Sequence, residues 1–397
     1  MRRASVLPSI LPVLLLCACG GSGPGPMQTT NPAASATGVA ADTSMLGRQH
    51  AAYTERDLVS DGNVPAEQTD ASLVNSWGLD ALPTTPWWIA DNGAGVSTLY
   101  DANGIAQPTS PGPLVVQLPG ASAPTGLVAN PGDDFVITLQ GVTGPARFLF
   151  ASEDGVIDAW LKTTPPSLQA VTMIDATSMN AVFKGLALFT GSRGSRLYAT
   201  DFHNGLVRVY DGAFDDITQP GQFTDGDLPA GFAPFGIRVI HGIVLVTYAM
   251  QDDARHDDVA GPGLGFVDAF SLDGRLLARV ASRGKLNSPW GLALAPAGFG
   301  RNSFRLLVGN FGDGHIVSFG LHRRDGRDRG ERNRDLDDDG AYLESSSGPI
   351  VIDGLWALSF GNGSVAGPAS TLFFTAGPNH EADGLFGRID FSPGMHP

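Results

Sequence analysis

The chain has 397 residues, of which 52 are glycine and 28 proline, and a formal net charge of −15. Such a length supports a large core, and the acidity argues against a phosphate-binding surface, so no nucleic-acid partner is expected. Abundant Gly and Pro, without a long amphipathic helical pattern, point to many short strands joined by tight turns.

The N-terminus reads as an address. Arg2 and Arg3 precede an apolar run from Val6 to Leu16 that is too short to span a bilayer as a helix. It ends in Leu16-Cys17-Ala18-Cys19-Gly20, which resembles a bacterial lipobox with lipidation at Cys19; a plain secretory signal is the alternative. Residues 1–18 are therefore expected to be removed as a signal peptide. Residues 19–43, rich in Gly, Ser, Ala, Pro and Thr, read as a flexible tether. Gly20 after the cysteine favours the outer membrane of a bacterial cell envelope, on either its periplasmic or its surface face.

Residues 44–397 read as one domain. Six copies of a three-strand unit follow one another, aligned on Gly78, Gly126, Gly185, Gly236, Gly291 and Ala357, at separations of 48, 59, 51, 55 and 66. A period near fifty points to a propeller. Further strand candidates at Leu114–Leu118, Leu168–Ile174, Leu276–Val280 and Ile350–Ile352 give four strands per unit, which is one blade. The third copy shows its fourth strand least clearly, and the last copy lacks one. Residues 52–60 (AYTERDLVS) have no blade of their own. The expected fold is all-β, a six-bladed β-propeller closed by this N-terminal strand, because an open edge would invite aggregation.

Two polar insertions interrupt the pattern. Residues 251–262, with Asp252, Asp253, Asp257 and Asp258, read as a mobile loop in the fourth copy. Residues 322–339 mix six Arg with seven acids and read as a solvated loop. The alternative there is calcium on Asp335, Asp337 and Asp339, which open like a calcium loop, although Ser346 stands where a bidentate Glu is needed.

In an up-and-down blade, the turn entering the first strand and the turn between the second and third lie on one face. The polar residues of the repeat gather in those turns. The ligand-face candidates are Asn75, Trp77, Asp91, Asn92, Asp201, His203, Asn310, His315, Asn379 and His380. Asp and Asn in such turns also bond their own backbone, so a purely structural role stays open for each. Trp77, Trp290 and Trp356 precede the aligned small residue and read as packing near the channel, or as a stacking surface. The second copy has Thr138, Gln140 and Gly141 where the others carry Asp-Asn or Asn-Phe-Gly, so any site must be asymmetric. No nucleophile elbow, zinc-protease helix or phosphate loop occurs, and no catalytic residue can be named.

The runs NSWGL, WWIADNGAGVSTLY, SPWGLALAP, VGNFGDGHI, IDGLWALSFGNG and LFFTAGPNHEADGLFG, in that order, resemble a family of exported bacterial six-bladed propellers without an assigned role. The resemblance covers Tyr53 to Phe391. Members often carry a C-terminal sorting segment, where this chain has the lipobox instead. More distantly the blades are similar to NHL-type repeats and to calcium-dependent lactonase propellers.

Two functions follow as expectations. One is a lipid-anchored binding module for a protein, glycan or small-molecule ligand, touching the membrane only through its anchor and acting as a monomer. The other is a calcium-dependent hydrolase of lactonase or esterase type, with the metal at the channel; calcium would then be its cofactor.

Overall fold

The aligned glycines are where neighbouring first strands touch. A Cβ built on Gly78 would lie 2.5 Å from the Thr125 carbonyl oxygen, and one on Gly126 would lie 2.3 Å from the Leu186 nitrogen. The same holds for Gly185 against Phe235 (2.9 Å), Gly236 against Trp290 (2.1 Å) and Gly291 against Trp356 (2.5 Å). Each approach runs from one copy to the next, and the last first strand in turn contacts the first. The first strands therefore stand in a closed ring, at five of its six contacts nearer to one another than a side chain permits, with Ala357 at the sixth. That requirement is what the fifty-residue period records.

The structure is a computed structural model that describes residues 52–192, 194–321 and 340–393. Cys19, the leader, the tether and Asp335, Asp337 and Asp339 lie outside the described residues. Blade one runs Ser76–Asp80, Trp87–Asp91, Val96–Tyr100 and Val116–Gln117. Blade two runs Pro124–Ala129, Phe148–Ser152, Val156–Trp160 and Val171–Asp175. Blade three has three strands, Phe183–Phe189, Arg196–Asp201 and Leu206–Asp211. Blade four runs Phe232–Ile240, Ile243–Met250, Phe266–Ser271 and Leu276–Ser282. Blade five runs Pro289–Leu294, Leu306–Asn310, Ile316–Phe319 and Ala341–Tyr342. Blade six runs Leu355–Phe360, Leu372–Ala376 and Leu385–Ser392, and its fourth strand is Ala52–Ser60.

The closing strand pairs antiparallel with the chain's last strand, from Ala52 opposite Ser392 to Ser60 opposite Leu385, with one irregularity between Asp57 and Val59. Residues Gln68–Thr69 then pair parallel with its end and cover part of the edge. Threonine hydroxyls stitch blades together. Thr125 Oγ1 donates to the Phe183 carbonyl at 2.7 Å and Thr200 Oγ1 to the Phe235 carbonyl at 2.7 Å. Thr375 Oγ1 does the same to the Trp77 carbonyl across the closure.

Three expectations need correction. Blade two does not turn from its second to its third strand at Thr138–Gly141. Residues Val136–Leu139 alternate like a strand but pair with Val142–Pro145 in a separate hairpin. The wholly buried Phe148–Ser152 takes the second position instead, so the turn is Ser152-Glu153-Asp154-Gly155. In blade five the fourth strand is Ala341–Tyr342, while residues 350–352 add one bridge, Val351 to His315. Residues 251–262, read as a mobile loop, form a built turn. Gln251 bridges Asp258, the Asp252 N–H donates to the Asp257 carbonyl at 2.8 Å, and the Asp252 carboxylate accepts from the His256 N–H at 2.8 Å.

Candidate functional site

The residue before each aligned small residue begins the inner wall of the ring. Around the ring these are Trp77, Thr125, Lys184, Phe235, Trp290 and Trp356. Trp77 stacks on Trp356 with ring centroids 3.4 Å apart, and Trp290 meets both edge-on at 5.9 and 5.8 Å. Phe235 lies 6.0 Å from Trp356, and Phe311 stacks on its other side at 3.9 Å. These rings plug the channel and belong to a core cluster. Desolvated aromatic faces packed this way stabilise each other beyond their buried area.

Lys184 breaks the aromatic column. It is 2 % exposed, yet its ammonium is not stranded. Nζ donates to Glu153 Oε1 at a very short distance and to Asp257 Oδ1 at 3.1 Å. The rings of Trp77 and Phe202 face it at 5.4 and 5.9 Å. Burial alone would lower the Lys184 pKa. The two carboxylates outweigh that and hold it above the usual lysine value. Burial would likewise raise Asp257, but Lys184 and His256 keep it below the usual carboxylate value.

From this ammonium a chain of bonds crosses the upper mouth of the channel. Asn92 Nδ2 donates to Glu153 Oε2 at 3.2 Å, and Asn75 Nδ2 donates to Asn92 Oδ1 at 3.1 Å and to Glu381 Oε2 at 2.8 Å. Trp356 Nε1 donates to Asn75 Oδ1 at 3.1 Å, tying the polar network to the plug beneath. Burial pushes the Glu381 carboxyl up, Asn75 tempers the shift and Glu153 adds to it. Burial also raises Asp258, against a lowering by Ser288 and Lys184. The Ser288 hydroxyl is fully buried beside the Asp258 carboxyl, toward which it can donate. Blades one, two, three, four and six thus each send a polar side chain to one place: Asn92, Glu153, Asp257 and Glu381 from the connection between second and third strands, and Asn75 and Lys184 from the start of the first.

The ten ligand-face candidates divide. Asn75, Asn92 and Trp77 belong to this mouth. Asp91 is buried inside blade one, where it accepts from Ser76 Oγ at 2.9 Å and Thr98 Oγ1 at 2.8 Å; burial raises its pKa well above the usual range. Asp201 accepts from Arg208 Nε at 2.8 Å and from Asn204, and so holds its own blade together. Asn310 donates to the Lys285 carbonyl at 2.7 Å and to Asp313 at 3.1 Å within a turn. His315 lies against Tyr342 at 4.4 Å with Nδ1 3.3 Å from Asp313. His203 is half-buried in the blade-three turn, and Asn379 and His380 are exposed at positive φ in the blade-six turn.

Glu153, Lys184, His256, Asp257, Asp258 and Glu381 went unnamed as site residues. Lys184 had a signal, as a lone cation in an aromatic column. Glu153 had one too, in the Ser-Glu-Asp-Gly turn that parallels Ala90-Asp91-Asn92-Gly93. Glu153, His256 and Asp257 each offer one ligand atom, all within 4.8 Å of one another, so they could hold a metal ion. Two of these carboxylates already share the Lys184 ammonium, which supplies positive charge at that point.

No protein-family model matches the chain. It is 31% identical over 344 residues to uncharacterized protein R648 of Acanthamoeba polyphaga mimivirus, covering 84% of this chain and 78% of that one. It is 29% identical over 341 residues to uncharacterized protein L690 of the same virus, covering 84% of each. Among solved structures, virginiamycin B lyase from Staphylococcus aureus superposes with a TM-score of 0.44 at 14% identity, over 86% of this chain and 99% of that one. A structural-genomics protein of unknown function from Bacteroides thetaiotaomicron gives 0.48 at 10% identity, over 86% and 77%. The relatives found by sequence are viral, and what stands of the expected resemblance is the six-bladed propeller.

Proposed function

The chain belongs to the same family as uncharacterized proteins R648 and L690 of the mimivirus, and on that footing we propose that it is a binding propeller that takes its ligand at the upper mouth of the channel. The observation that carries this reading is the convergence of Asn75, Asn92, Glu153, Lys184, Asp257 and Glu381 from five blades. Repeat symmetry alone would place equivalent residues in every blade. Among the described residues this cluster joins an ammonium, amides and carboxylates at one point, with the Glu381 carboxyl raised by burial, and such a convergence suits a recognition site.

In this reading the ligand is a protein, glycan or small molecule with hydrogen-bonding groups. Probing glycan and peptide arrays with the purified chain tests it. Glu153→Gln with Asp257→Asn should abolish a signal that the wild type gives. Retention of that signal by the folded double variant would remove the upper mouth from consideration.

The export proposal rests on the leader and the Leu-Cys-Ala-Cys-Gly run. Lipidation at Cys19 would tether the propeller to a bacterial envelope membrane by residues 20–43. In a bacterial host, Cys19→Ala should leave the chain unprocessed or free it from the membrane fraction. Normal processing with continued membrane association would overturn lipidation.

A second reading, a calcium-dependent hydrolase, draws on the carboxylate oxygens of Glu153 and Asp257. A calcium titration with and without EDTA separates the two. Stoichiometric binding lost in Asp257→Asn favours the hydrolase, and no binding leaves the module.

A further inference from the structure

Below the tryptophan plug the channel opens again, at the opposite end from the mouth just described. The first strands of all six blades line a cavity of about 150 Å³ there. Trp290 forms part of its inner wall, and Leu127, Leu292 and Leu358, whose side chains pack into the cores between blades, border it. Its rim residues Ala129, Leu188 and Val239 are half-exposed, so the cavity faces solvent on that side and is blind at the plug.

Two charged side chains face into it from different blades. Asp80 of blade one is held by two backbone donors, Ala81 N–H on Oδ1 at 2.9 Å and Ala129 N–H on Oδ2 at 2.8 Å. Arg238 of blade four is held by the Leu358 carbonyl on Nη1 at 2.9 Å and by Ser359 Oγ on Nη2 at 3.0 Å. Those anchors belong to blades two and six, so neither side chain can swing toward the other without losing bonds. The guanidinium is near enough to lower the Asp80 pKa against the upward push of burial, yet no direct ion pair joins the two among the described residues. Opposite charges thus line one cavity while each is anchored to other groups.

Both charges have capacity left. A carboxylate accepts about four hydrogen bonds and a guanidinium donates five, and two of each are used. The space would hold about five waters at bulk density. It is smaller than the roughly 300–1,000 Å³ typical of drug-sized ligands. A ligand with one charge would satisfy one side chain and be repelled by the other.

We propose that this lower cavity is a binding site for a small zwitterion of the α-amino-acid class, its ammonium on Asp80 and its carboxylate on Arg238. This site is independent of the upper mouth, and either can fail without the other.

Isothermal titration calorimetry of the full chain tests it with glycine, L-alanine, L-serine and glycine betaine, using acetate and methylammonium as one-charge controls. At least one zwitterion should bind saturably, with both controls weaker by about tenfold or more, the worth of one charged hydrogen bond. Asp80→Asn should weaken that binding by a similar factor. Because Asp80 also caps backbone N–H groups, a second variant keeps the test sound. Arg238→Gln removes the opposite charge without touching those N–H groups, and should weaken binding by a similar factor while circular dichroism stays that of the wild type. No heat from any zwitterion, equal affinity for a one-charge control, or binding unchanged in both variants would overturn the proposal.

Discussion

The Lys184 ammonium and the Asp257 carboxylate lie 3.1 Å apart, and this contact fastens the blade-four insertion onto the first strand of blade three. The two ends are unequal. Lys184 is 2 % exposed and Asp257 66 %, while Glu153, the other partner, is 14 % exposed. Water screens the Asp257 contact and hardly reaches the Glu153 one. Replacing Lys184 by Ala leaves Glu153 as a buried, uncompensated charge and should cost about 3–5 kcal/mol. Asp257→Asn should cost no more than about 1 kcal/mol. Urea unfolding of both variants checks the order, and equal losses would contradict it.

How far this site could be read from the sequence depends on what each residue answers to. The ring of Gly78, Gly126, Gly185, Gly236 and Gly291 answers to a backbone contact repeated in every copy, so its period is written into the chain. Asp91, Asp201 and Asn310 looked functional because three copies carry such a residue at the same turn, yet their bonds are local. Asp257 reaches Lys184 from an insertion with no counterpart in the other copies, and no periodicity could announce it. Glu153 was hidden by the Val136–Pro145 hairpin, whose alternation imitates the strand it displaces.

Gly236 gives a sharp test of the ring argument. Its Cβ would fall 2.1 Å from the Trp290 carbonyl oxygen, with Thr247 Oγ1 at 2.9 Å, and the obstacle is backbone that cannot rotate away. Gly236→Ala should destabilise by about 1–3 kcal/mol or more through overpacking. Gly226 has open space around it, and Gly226→Ala should be neutral or stabilise by roughly 0.4–1 kcal/mol through the unfolded chain. Thermal melts of the two variants should therefore move in different directions or by very different amounts.

The closing strand also carries a pH dependence. Burial, and secondarily Asp57, pushes the Glu55 carboxyl from its ordinary 4.5 up to about 7. A carboxyl raised in this way keeps its proton in the folded state after the unfolded chain has lost it. The folded state then binds more protons in that window, so stability falls as pH rises from 4.5 to about 7 and levels off above. Glu55→Gln should flatten that part of the profile, stabilising the protein at pH 8 relative to wild type and changing little at pH 4. A wild-type profile that rises across the same window, or a variant with an unchanged slope, would show that Glu55 is not the group responsible.

Ring closure gives the largest expected effect. Tyr53, Leu58 and Val59 of the closing strand are all buried, and Tyr53 reaches beyond its own blade. Its hydroxyl donates to the Phe299 carbonyl at 2.8 Å and accepts from Asn302 Nδ2 at 3.0 Å, with the Phe299 ring 4.7 Å away. The strand therefore completes blade six and bolts it to the long loop of blade five. Burying each such side chain is worth roughly 1.5–3 kcal/mol, and a whole domain has only about 5–15 kcal/mol to lose. Deleting residues 20–43 should leave the melting temperature where it was. Deleting residues 20–60 exposes the 385–392 edge and uncovers the core beneath it, so that chain should be insoluble or melt far lower. Tyr53→Ala samples the same closure at one point and should cost about 3 kcal/mol. If the two truncations melted together, the strand would contribute nothing to closure, and the antiparallel pairing of Ala52 to Ser60 with the last strand could not be what seals the ring.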